Sequence, residues 1–281
     1  GRYTCARSLE SAATRWSAMG GELLVGRGDP VTIRRVTPII ADGSHKVVDF
    51  SQKTHVMGIL NVTPDSFSDG GSFSSQDSAV AQFQRLVDAG ADIVDIGGQS
   101  TRPGATLLTA EEEADRVLPV IEQVARMART SPKETLISVD TFHASVARQA
   151  VSLGAHMVND VSSGALDPGM HPLLASELLG VPCVMMHMRG DPQTTQNEEH
   201  TQYGDVARDV ADELSSKVHT AVHKAGVMPW CILPDPGFGF AKTHSSNLAL
   251  LRGLSALRAS LTPTALRNSP MVVGPSRKGF L

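Results

Sequence analysis

Short apolar runs alternate with longer amphipathic stretches from about residue 55 to the end of the chain. Seven of these runs have the length and composition of buried β-strands, and each is followed by a polar segment. They span residues 55–61, 92–97, 136–140, 156–159, 182–187, 230–234 and 271–274. Strands that alternate with helices are typical of βα units on a parallel sheet. The pattern therefore predicts an α/β fold.

Two of the intervening stretches carry strong helix signals. Thr109 and Glu112 form a T-x-x-E capping box, and the apolar positions after them recur at three- and four-residue steps. A second stretch repeats this periodicity from Val206 to Ala225, and Gly226 is the expected C-cap. Both helices are expected to lie against a sheet.

The first 54 residues are less regular and contain four closely spaced glycines between positions 20 and 28. We interpret residues 1–54 as an N-terminal linker or lead-in and residues 55–281 as one barrel domain. The total length of 281 residues suits a single α/β barrel, since such barrels have roughly 250 residues.

Composition and charge narrow the function classes. The chain is 41% hydrophobic and 19% charged, has a net charge of −4, and contains no Lys/Arg block. These values disfavour a disordered chain, nucleic-acid binding and binding to an anionic membrane. No apolar run reaches the roughly 18 residues of a membrane span. The three cysteines are too few and too widely spaced for a disulfide framework, so we expect a soluble protein of a reducing compartment that acts on small molecules.

Polar side chains stand where the predicted strands end. In a parallel barrel the carboxyl ends of the strands carry the active site. Asp140 and Asn159 end apolar runs, so we expect them to share a pocket with Asp235, where an unpaired polar group would be costly. Such acceptors suit a planar heterocycle with adjacent N–H donors. The alternative is that each residue caps the next helix.

The loops after the first two strands supply anion-binding groups. They contain hydroxyl side chains, glycines and the guanidinium of Arg102. Arg277 and Lys278 add positive charge at the far side of the same mouth, although polar loops of this kind are also ordinary turns. Asn61 and Asp65 are candidate oxygen ligands for a hard cation such as Mg²⁺.

Seven motifs, taken in order, resemble those of dihydropteroate synthases. They are MGILNVTPDSFSDGG (57–71), DIGGQSTRPG (95–104), SVDT (138–141), ND (159–160), MMHMRGDP (185–192), DPGFGF (235–240) and GPSRK (274–278). The stretch before them resembles the linker of the plant enzymes in which a hydroxymethyldihydropterin pyrophosphokinase module precedes the synthase. The resemblance implies a TIM (β/α)8 barrel of the pterin-binding type, with the eighth βα unit missing from this chain.

The resemblance also implies an activity. It predicts a transferase of folate biosynthesis that condenses 6-hydroxymethyl-7,8-dihydropterin diphosphate with para-aminobenzoate, giving 7,8-dihydropteroate and pyrophosphate with the help of Mg²⁺. Sulfonamides mimic the second substrate in this family. The family leaves a homodimer and an upstream kinase module open, as well as a location in the mitochondrial matrix or the cytoplasm.

Carried over by motif, the resemblance assigns roles to particular residues. Residues implied to bind the pterin are Asp140, Asn159, Asp235 and Lys278, with Met185 lying against the ring. Catalysis is implied for Asp140, Asp235 and Lys278, and metal binding for Asn61. Further substrate contacts are implied for Thr101, Arg102, Ser276 and Arg277, and the aminobenzoate pocket for Phe67, Pro103, Phe240 and Lys278.

Three departures from the family pattern affect these expectations. Gln99 stands where the family usually has Glu, and Gly279 stands where bacterial members often have Ser. Leu281 closes the sequence just after the seventh run, so we expect this chain alone to have little or no activity. Two alternatives follow: a pterin-dependent methyltransferase barrel, which needs no pyrophosphate loop, and a non-catalytic pterin-binding remnant.

Overall fold

The structure is a computed structural model that describes residues 35–36, 48–50, 53–63, 75–99, 106–131, 134–276 and 278–280. The strands, in chain order, are β1 (Arg35–Val36), β2 (Val48–Asp49), β3 (Met57–Asn61), β4 (Ile93–Gly97), β5 (Leu136–Asp140), β6 (Met157–Asp160), β7 (Cys183–Met186) and β8 (Ile232–Asp235). The α-helices are α1 (Ser75–Asp88), α2 (Ala110–Thr130), α3 (Ala144–Leu153), α4 (Met170–Ala175), α5 (Val206–His219), α6 (His244–Arg252), α7 (Leu254–Ser260) and α8 (Thr264–Asn268). Short 3₁₀ turns at Glu198–His200 and Pro229–Cys231 and a π-helical turn at Thr220–Ala225 complete the assignment.

Strands β3 to β8 form one parallel sheet in which the spatial order equals the chain order. A helix follows each strand, so the predicted succession of βα units is confirmed. The six strands form an open arc, and no ladder joins β8 to β3 in the part of the chain that the structure describes. β1 and β2 pair antiparallel inside the segment expected to be a lead-in. The division between residues 54 and 55 stays a prediction.

The prediction of a seventh strand at residues 271–274 is wrong. Val272 donates one backbone hydrogen bond to the carbonyl of Pro234, at 3.0 Å, but no strand forms there. A continuing parallel ladder would need an N–H of residue 236 for the carbonyl of Val272, and Pro236 has none. Pro270 also has no N–H to donate. The prolines at this sheet edge therefore remove the donors that a ladder requires.

The outer face of the sheet packs against the helices through apolar side chains. On α2 the buried residues include Val117, Ile121 and Val124, which confirms the predicted apolar face. The capping box is also present, since the Glu112 N–H donates to Thr109 Oγ1 at 3.2 Å and the Thr109 N–H donates to Glu112 Oε2 at 2.8 Å. The second predicted helix begins at Val206 but changes to a π-helical turn after His219. It ends at Gly226, whose φ of +86° is the left-handed conformation expected of a C-cap.

The inner face of the sheet changes from apolar to polar along the strands. Near their amino ends, an apolar cluster is formed by Ile93, Leu136, Met157, Val184 and Leu233. Two or four residues farther along four of these five strands, the same face carries Asp95, Asp140, Asn159 and Asp235. Because side chains of a strand alternate between faces, a two-residue step keeps these groups on the inner side. The inner face of the sheet therefore carries an apolar cluster near the amino ends of the strands and a polar set at their carboxyl ends. We call the polar set, Asp95, Asp140, Asn159 and Asp235, the cup.

Among the helices that the structure describes, none is both long enough and apolar enough to cross a bilayer.

Candidate active site

The carboxyl ends of four strands bring polar side chains to one level of the sheet. Asn61 pairs with Gly97, Gly97 pairs with Asp140, and Asp140 pairs with Asn159 in successive parallel ladders. Asp235 ends β8 and is paired with Met186. The convergence predicted from the strand ends is therefore what the sheet produces.

One cavity of about 1130 Å³ runs along this inner face. It extends from Phe50 and His55 at the amino ends of the strands to the polar cup, so its volume includes the barrel interior as well as the site. Seven of the predicted site residues line it: Asn61, Asp140, Asn159, Asp235, Phe240, Ser276 and Lys278. Phe67, Thr101, Arg102, Pro103 and Arg277 lie outside the described residues.

Asp95 is a cavity residue that the strand-end reasoning missed. Its Oδ2 accepts a hydrogen bond from Asn159 Nδ2 at 2.8 Å, while its Oδ1 makes no hydrogen bond within the usual geometric limits. Burial raises the pKa of Asp95, and the neighbouring Ser138 and Asn159 oppose that rise. The signal was available in the sequence, because a lone Asp in the apolar strand IVDIG faces the same side as Gly97.

Asp140 stands among other acidic groups. Burial is the main cause that raises its pKa well above the ordinary value, and the carboxyl groups of Asp95, Glu113 and Asp160 add to the rise. Lys278 acts in the opposite direction. Gly97 leaves room for the carboxylate, since a Cβ there would lie 3.2 Å from Asp140 Oδ2. The site is therefore built to hold a carboxyl group that gains from a positively charged or N–H-bearing ligand.

Asp160, which follows Asn159, has a structural task. Its Oδ1 accepts from the N–H and the hydroxyl of Ser162 at 2.8 and 2.7 Å, and its Oδ2 accepts from the Gly164 N–H at 2.6 Å. These bonds satisfy the carboxylate within its own turn. Asp160 thus shapes the loop beside the cavity and is not among the residues that line it.

Asp235 and Lys278 face each other across the far side of the cup. Asp235 Oδ1 accepts from the Gly237 N–H at 2.7 Å, and burial raises the pKa of Asp235 to about 6. Lys278 Nζ lies 4.3 Å from the centre of the Phe240 ring, a cation–π distance. Burial lowers the pKa of Lys278, whereas Asp235 and Asp140 raise it. A lysine and an aromatic ring thus stand beside two carboxyl groups.

The expectation that Met185 lies on the ligand side is corrected. Met185 is buried in the core cluster between the sheet and the helices, together with Cys183. Met186 instead lines the cavity and packs with Phe142, Val161, Met188 and Phe240. The reason is the two-residue alternation of β7, which puts Val184 and Met186 on the inner face.

The side chain of Gln99, which follows β4, is hydrogen-bonded to the backbone of Leu108. Its Nε2 donates to the Leu108 carbonyl at 3.1 Å, and its Oε1 accepts from the Leu108 N–H at 3.0 Å. The same Nε2 lies 3.4 Å from Glu113 Oε2, and burial raises the pKa of Glu113. Because Gln99 stands where the family usually has Glu, an amide donor faces the buried carboxyl group of Glu113. Sequence reasoning considered only the charge at position 99 and missed this contact.

A second polar network, also missed from the sequence, lies behind the cup. His187 is fully buried, with Nε2 3.0 Å from Glu213 Oε2 and Nδ1 3.0 Å from Lys242 Nζ. Lys242 can only donate, so Nδ1 is the acceptor and Nε2 carries the proton. Burial lowers the pKa of His187 to about 4, and Lys242 adds to the effect. The ring is therefore neutral at physiological pH.

This neutral histidine predicts a pH dependence of folding stability. His187 has a pKa of about 4 in the folded state and 6.5 as an ordinary value, so the unfolded chain binds its proton first. Its contribution of about 3 kcal/mol is fully present above pH 6.5 and is lost as the pH falls through about 4. We expect the variant His187→Gln to show a flatter decline of the free energy of unfolding between pH 6.5 and 4. Urea titrations across this range measure it, with the exposed His223→Gln as control; equal slopes in all three proteins would contradict the assignment.

Residues 57–281 match the family described as pterin binding enzyme. The mitochondrial folate synthesis bifunctional protein of Arabidopsis thaliana is 50% identical over 95% of this chain and 46% of its own length. Dihydropteroate synthase from Xanthomonas albilineans, solved in complex with 7,8-dihydropteroate, is 38% identical, has a TM-score of 0.68, and is matched over 83% of this chain and 76% of that chain.

A further solved structure is similar in the same way. Dihydropteroate synthase from Yersinia pestis, solved with a sulfonamide drug complex, is 40% identical with a TM-score of 0.71, over 84% of this chain and 78% of that one. The chain spans about half the length of the plant bifunctional proteins that it matches. The sequence match, the sheet order and the cup of acceptors agree, so the chain belongs to the pterin-binding enzymes, among the dihydropteroate synthases.

Proposed function

We propose that this protein condenses 6-hydroxymethyl-7,8-dihydropterin diphosphate with para-aminobenzoate to give 7,8-dihydropteroate and pyrophosphate. The observation that carries the proposal is a ring of acceptors, one lysine and one aromatic side chain around a single cavity. Its members are Asp95, Asp140, Asn159, Asp235, Lys278 and Phe240. Family membership and the complexes of the relatives with 7,8-dihydropteroate and with a sulfonamide drug support it.

The chemistry of the cup suits a pterin ring. A pterin presents an amino group and a ring N–H side by side, and these are donors for carboxylates such as Asp140 and Asp235. Asn159 has one amide N–H engaged by Asp95, so Asp95 orients the amide whose remaining groups face the cavity. Lys278 supplies the donor that the ring oxygen needs. Burial of these groups makes each hydrogen bond to a charged partner stronger than it would be in water.

The reaction is a substitution at the pterin methylene carbon. The carbon–oxygen bond to diphosphate breaks and its electron pair leaves with pyrophosphate. The nitrogen of para-aminobenzoate forms the new bond and loses one proton to solvent. Positive charge on the pterin grows while the bond breaks, and the buried carboxyl groups of Asp140 and Asp235 stabilise it. Lys278 and Phe240 border the space in which the amine approaches.

Mg²⁺ fits the residues at the end of β3. Asn61 lines the cavity and is exposed, so its amide oxygen is a hard ligand open to the cup. In the described part of the chain, no group of three His, Cys, Asp or Glu side chains could hold a metal. One protein oxygen suffices for Mg²⁺, because this ion keeps several waters and shares substrate phosphates. Asn61 would hold the ion, which when bound neutralises diphosphate charge.

Five predicted substrate contacts, Phe67, Thr101, Arg102, Pro103 and Arg277, are outside the described residues. We propose that Thr101, Arg102 and Arg277 contact the diphosphate and that Phe67 and Pro103 border the aminobenzoate. Ser276 lines the cavity, and we assign it to the diphosphate contacts as well. Guanidinium and hydroxyl groups bind phosphate oxygens, which supports this division of roles.

The two neighbouring methionines give a direct test of which face binds the ring. We expect Met186→Ala to raise the KM for the pterin diphosphate about tenfold, because it removes one apolar contact worth roughly 1.5 kcal/mol. Met185→Ala should leave this KM unchanged. Both variants lose buried side chains, so each should lower the free energy of unfolding by about 2–5 kcal/mol. A KM raised by Met185→Ala alone would place the ring on the other face.

Release of pyrophosphate tests the proposed activity. The protein in its full natural length is incubated with synthetic pterin diphosphate, para-aminobenzoate and Mg²⁺. Release that requires both substrates and yields dihydropteroate supports the proposal. Pterin binding without release supports a binding remnant, and methyl transfer from a methylated pterin supports a methyltransferase; either result contradicts the proposed reaction.

The relatives also suggest a compartment and a neighbouring module. The Arabidopsis thaliana relative is named bifunctional and mitochondrial. On that likeness we place this protein in the mitochondrial matrix, with the cytoplasm as the alternative, and expect a pyrophosphokinase module in the same polypeptide. Imaging of a fluorescent fusion of the natural protein distinguishes the compartments, and its mass and kinase activity test for the module. Light scattering of the natural protein measures its mass in solution and so tests whether it forms a homodimer.

A further inference from the structure

The segment from Asp235 to Lys242 forms part of the cavity wall and then turns behind it. Asp235 and Phe240 face the cavity. Lys242 is not among the residues that line the cavity, and it is 3% exposed. A lysine is rarely this buried unless its charge is paired. Its partners therefore indicate what it does.

Each proton of the Lys242 ammonium has one acceptor. Nζ lies 3.0 Å from the Gly237 carbonyl oxygen, 2.9 Å from the Phe240 carbonyl oxygen and 3.0 Å from His187 Nδ1. An ammonium group has three donors and no acceptor, so this set satisfies it completely. The two carbonyls belong to the same loop, one near Asp235 and the other on the aromatic residue of the cavity. Lys242 thus binds the backbone at both ends of the segment 237–240.

The loop needs such support because its backbone is strained. Ala241 has a φ of +50°, a conformation that costs a residue with a Cβ about 1–2 kcal/mol. Tyr203 Oη donates to the Ala241 carbonyl at 2.8 Å, so a second side chain holds the strained residue. Strain of this kind persists only where the surroundings enforce the conformation. Lys242 and Tyr203 together provide that enforcement.

The other end of the network is anchored on α5. Glu213 accepts from His187 and from Arg189, and the Arg189 guanidinium lies 4.0 Å from the Tyr203 ring centre. The charged and titratable groups that act on Lys242 are Asp235, Glu213, Arg189, Lys217 and His187. Those that act on Asp235 are Lys242, Lys278 and Asp95. Burial lowers the pKa of Lys242 to about 7, whereas Asp235 and Glu213 favour its charged form. Lys242 is linked to Asp235 through Gly237, whose carbonyl accepts from Lys242 and whose N–H donates to Asp235.

We propose that Lys242 is a positioning residue of the pterin site, which fixes the backbone from Asp235 to Ala241 and keeps the Asp235 carboxylate charged. This inference rests on the proposed function for its readout. It assigns no contact between Lys242 and the substrate, because the side chain lies outside the cavity lining. Its effect passes through the two loop carbonyls and through the charge of Asp235.

Three variants separate anchoring from charge. Lys242→Met removes the donors and the charge, Lys242→Arg keeps the charge, and Tyr203→Phe removes only the bond to Ala241. We expect Lys242→Met to lower kcat/KM at least tenfold, mainly through a higher KM for the pterin diphosphate. Its acidic limb in the pH profile should move at least about half a pH unit upward, because Asp235 loses a nearby cation. Tyr203→Phe and Lys242→Arg should leave this limb in place.

The outcomes that overturn the inference are distinct from failure of the proposed function. A Lys242→Met enzyme with the wild-type acidic limb and KM would refute it. If Lys242→Met does not fold, Lys242→Gln, which removes the charge but keeps two N–H donors for the loop carbonyls, is measured in its place; a wild-type acidic limb and KM in this variant would refute the inference. If the wild type has no turnover, calorimetry with 6-hydroxymethylpterin across pH 5–8 replaces kinetics, and the same upward shift is required of Lys242→Met.

Discussion

Replacing Asp140 by Asn is expected to lower kcat/KM about 10²–10⁴-fold. The amide removes the negative charge and turns one acceptor into a donor that faces the N–H groups of the pterin. Two charge-assisted hydrogen bonds at about 1.5–3 kcal/mol each are affected, and each 1.36 kcal/mol is tenfold in rate. Pyrophosphate release at saturating aminobenzoate measures the change. The exposed Asp212→Asn on α5 serves as the control and should be inert.

The same variant should be more stable than the wild type in the absence of ligand. Burial and neighbouring acids raise the pKa of Asp140 in the folded state, so its ionisation opposes folding as the pH rises above 3.8. Asn carries no such penalty. Thermal melting at pH 8 is therefore expected to show a higher Tm for Asp140→Asn than for wild type, together with the loss of activity. A variant that loses both activity and Tm would indicate a structural role for Asp140 and contradict the assignment.

Replacing Gly237 by Ala is expected to lower the free energy of unfolding by about 2–5 kcal/mol. Gly237 has a φ of +67°, and a Cβ there would lie 2.0 Å from the carbonyl oxygen of His187. The backbone conformation costs about 1–2 kcal/mol for a residue with a Cβ, and the overlap with an immobile backbone atom adds about 1–3 kcal/mol. The Gly237 N–H also donates to Asp235, so displacement of the loop disorders the site. We expect a large loss of Tm and of pterin binding together.

Two other glycines separate these causes. Gly90 has a φ of +111°, but a Cβ at this position would have no atom within 4 Å, so Gly90→Ala reports the conformational cost alone. Gly274 has neither a positive φ nor a neighbour within 4 Å, and Gly274→Ala should be nearly neutral. Urea denaturation of the three variants gives the comparison. A Gly237→Ala protein no less stable than Gly90→Ala would show that the loop yields easily, contrary to the close approach.

The strands and the central acceptors were predictable because they depend on local patterns. Six apolar runs form strands, and parallel pairing then brings Asp140, Asn159 and Asp235 to one rim. The choice between Met185 and Met186 was not settled by composition, since both faces of β7 are apolar. Register decides it, because Met186 stands opposite Asp235. Asp95 was predictable in principle from one charge within a buried strand.

The seventh run and the Lys242 network show what local patterns do not contain. The prolines near residue 272 are visible in the sequence, but their effect depends on which carbonyl each one would face. Glu213 looks like an ordinary charged position on a helix surface. Only the packing of α5 against β7 brings it to His187, which follows that strand. Contacts between residues distant in the chain therefore remained beyond sequence reasoning.

The agreement between spatial order and chain order has a consequence for assembly. Within the described residues, each strand from β3 to β8 pairs with its immediate neighbours in chain order, so the sheet can grow one unit at a time through contacts close in sequence. Asp95 belongs to the second of the six described strands of this sheet and Asp235 to the sixth, so a sheet in which β8 has not docked carries Asp95, Asp140 and Asn159 without Asp235. A ligand that contacts both Asp95 and Asp235 therefore stabilises the docking of β8 and opposes its local opening.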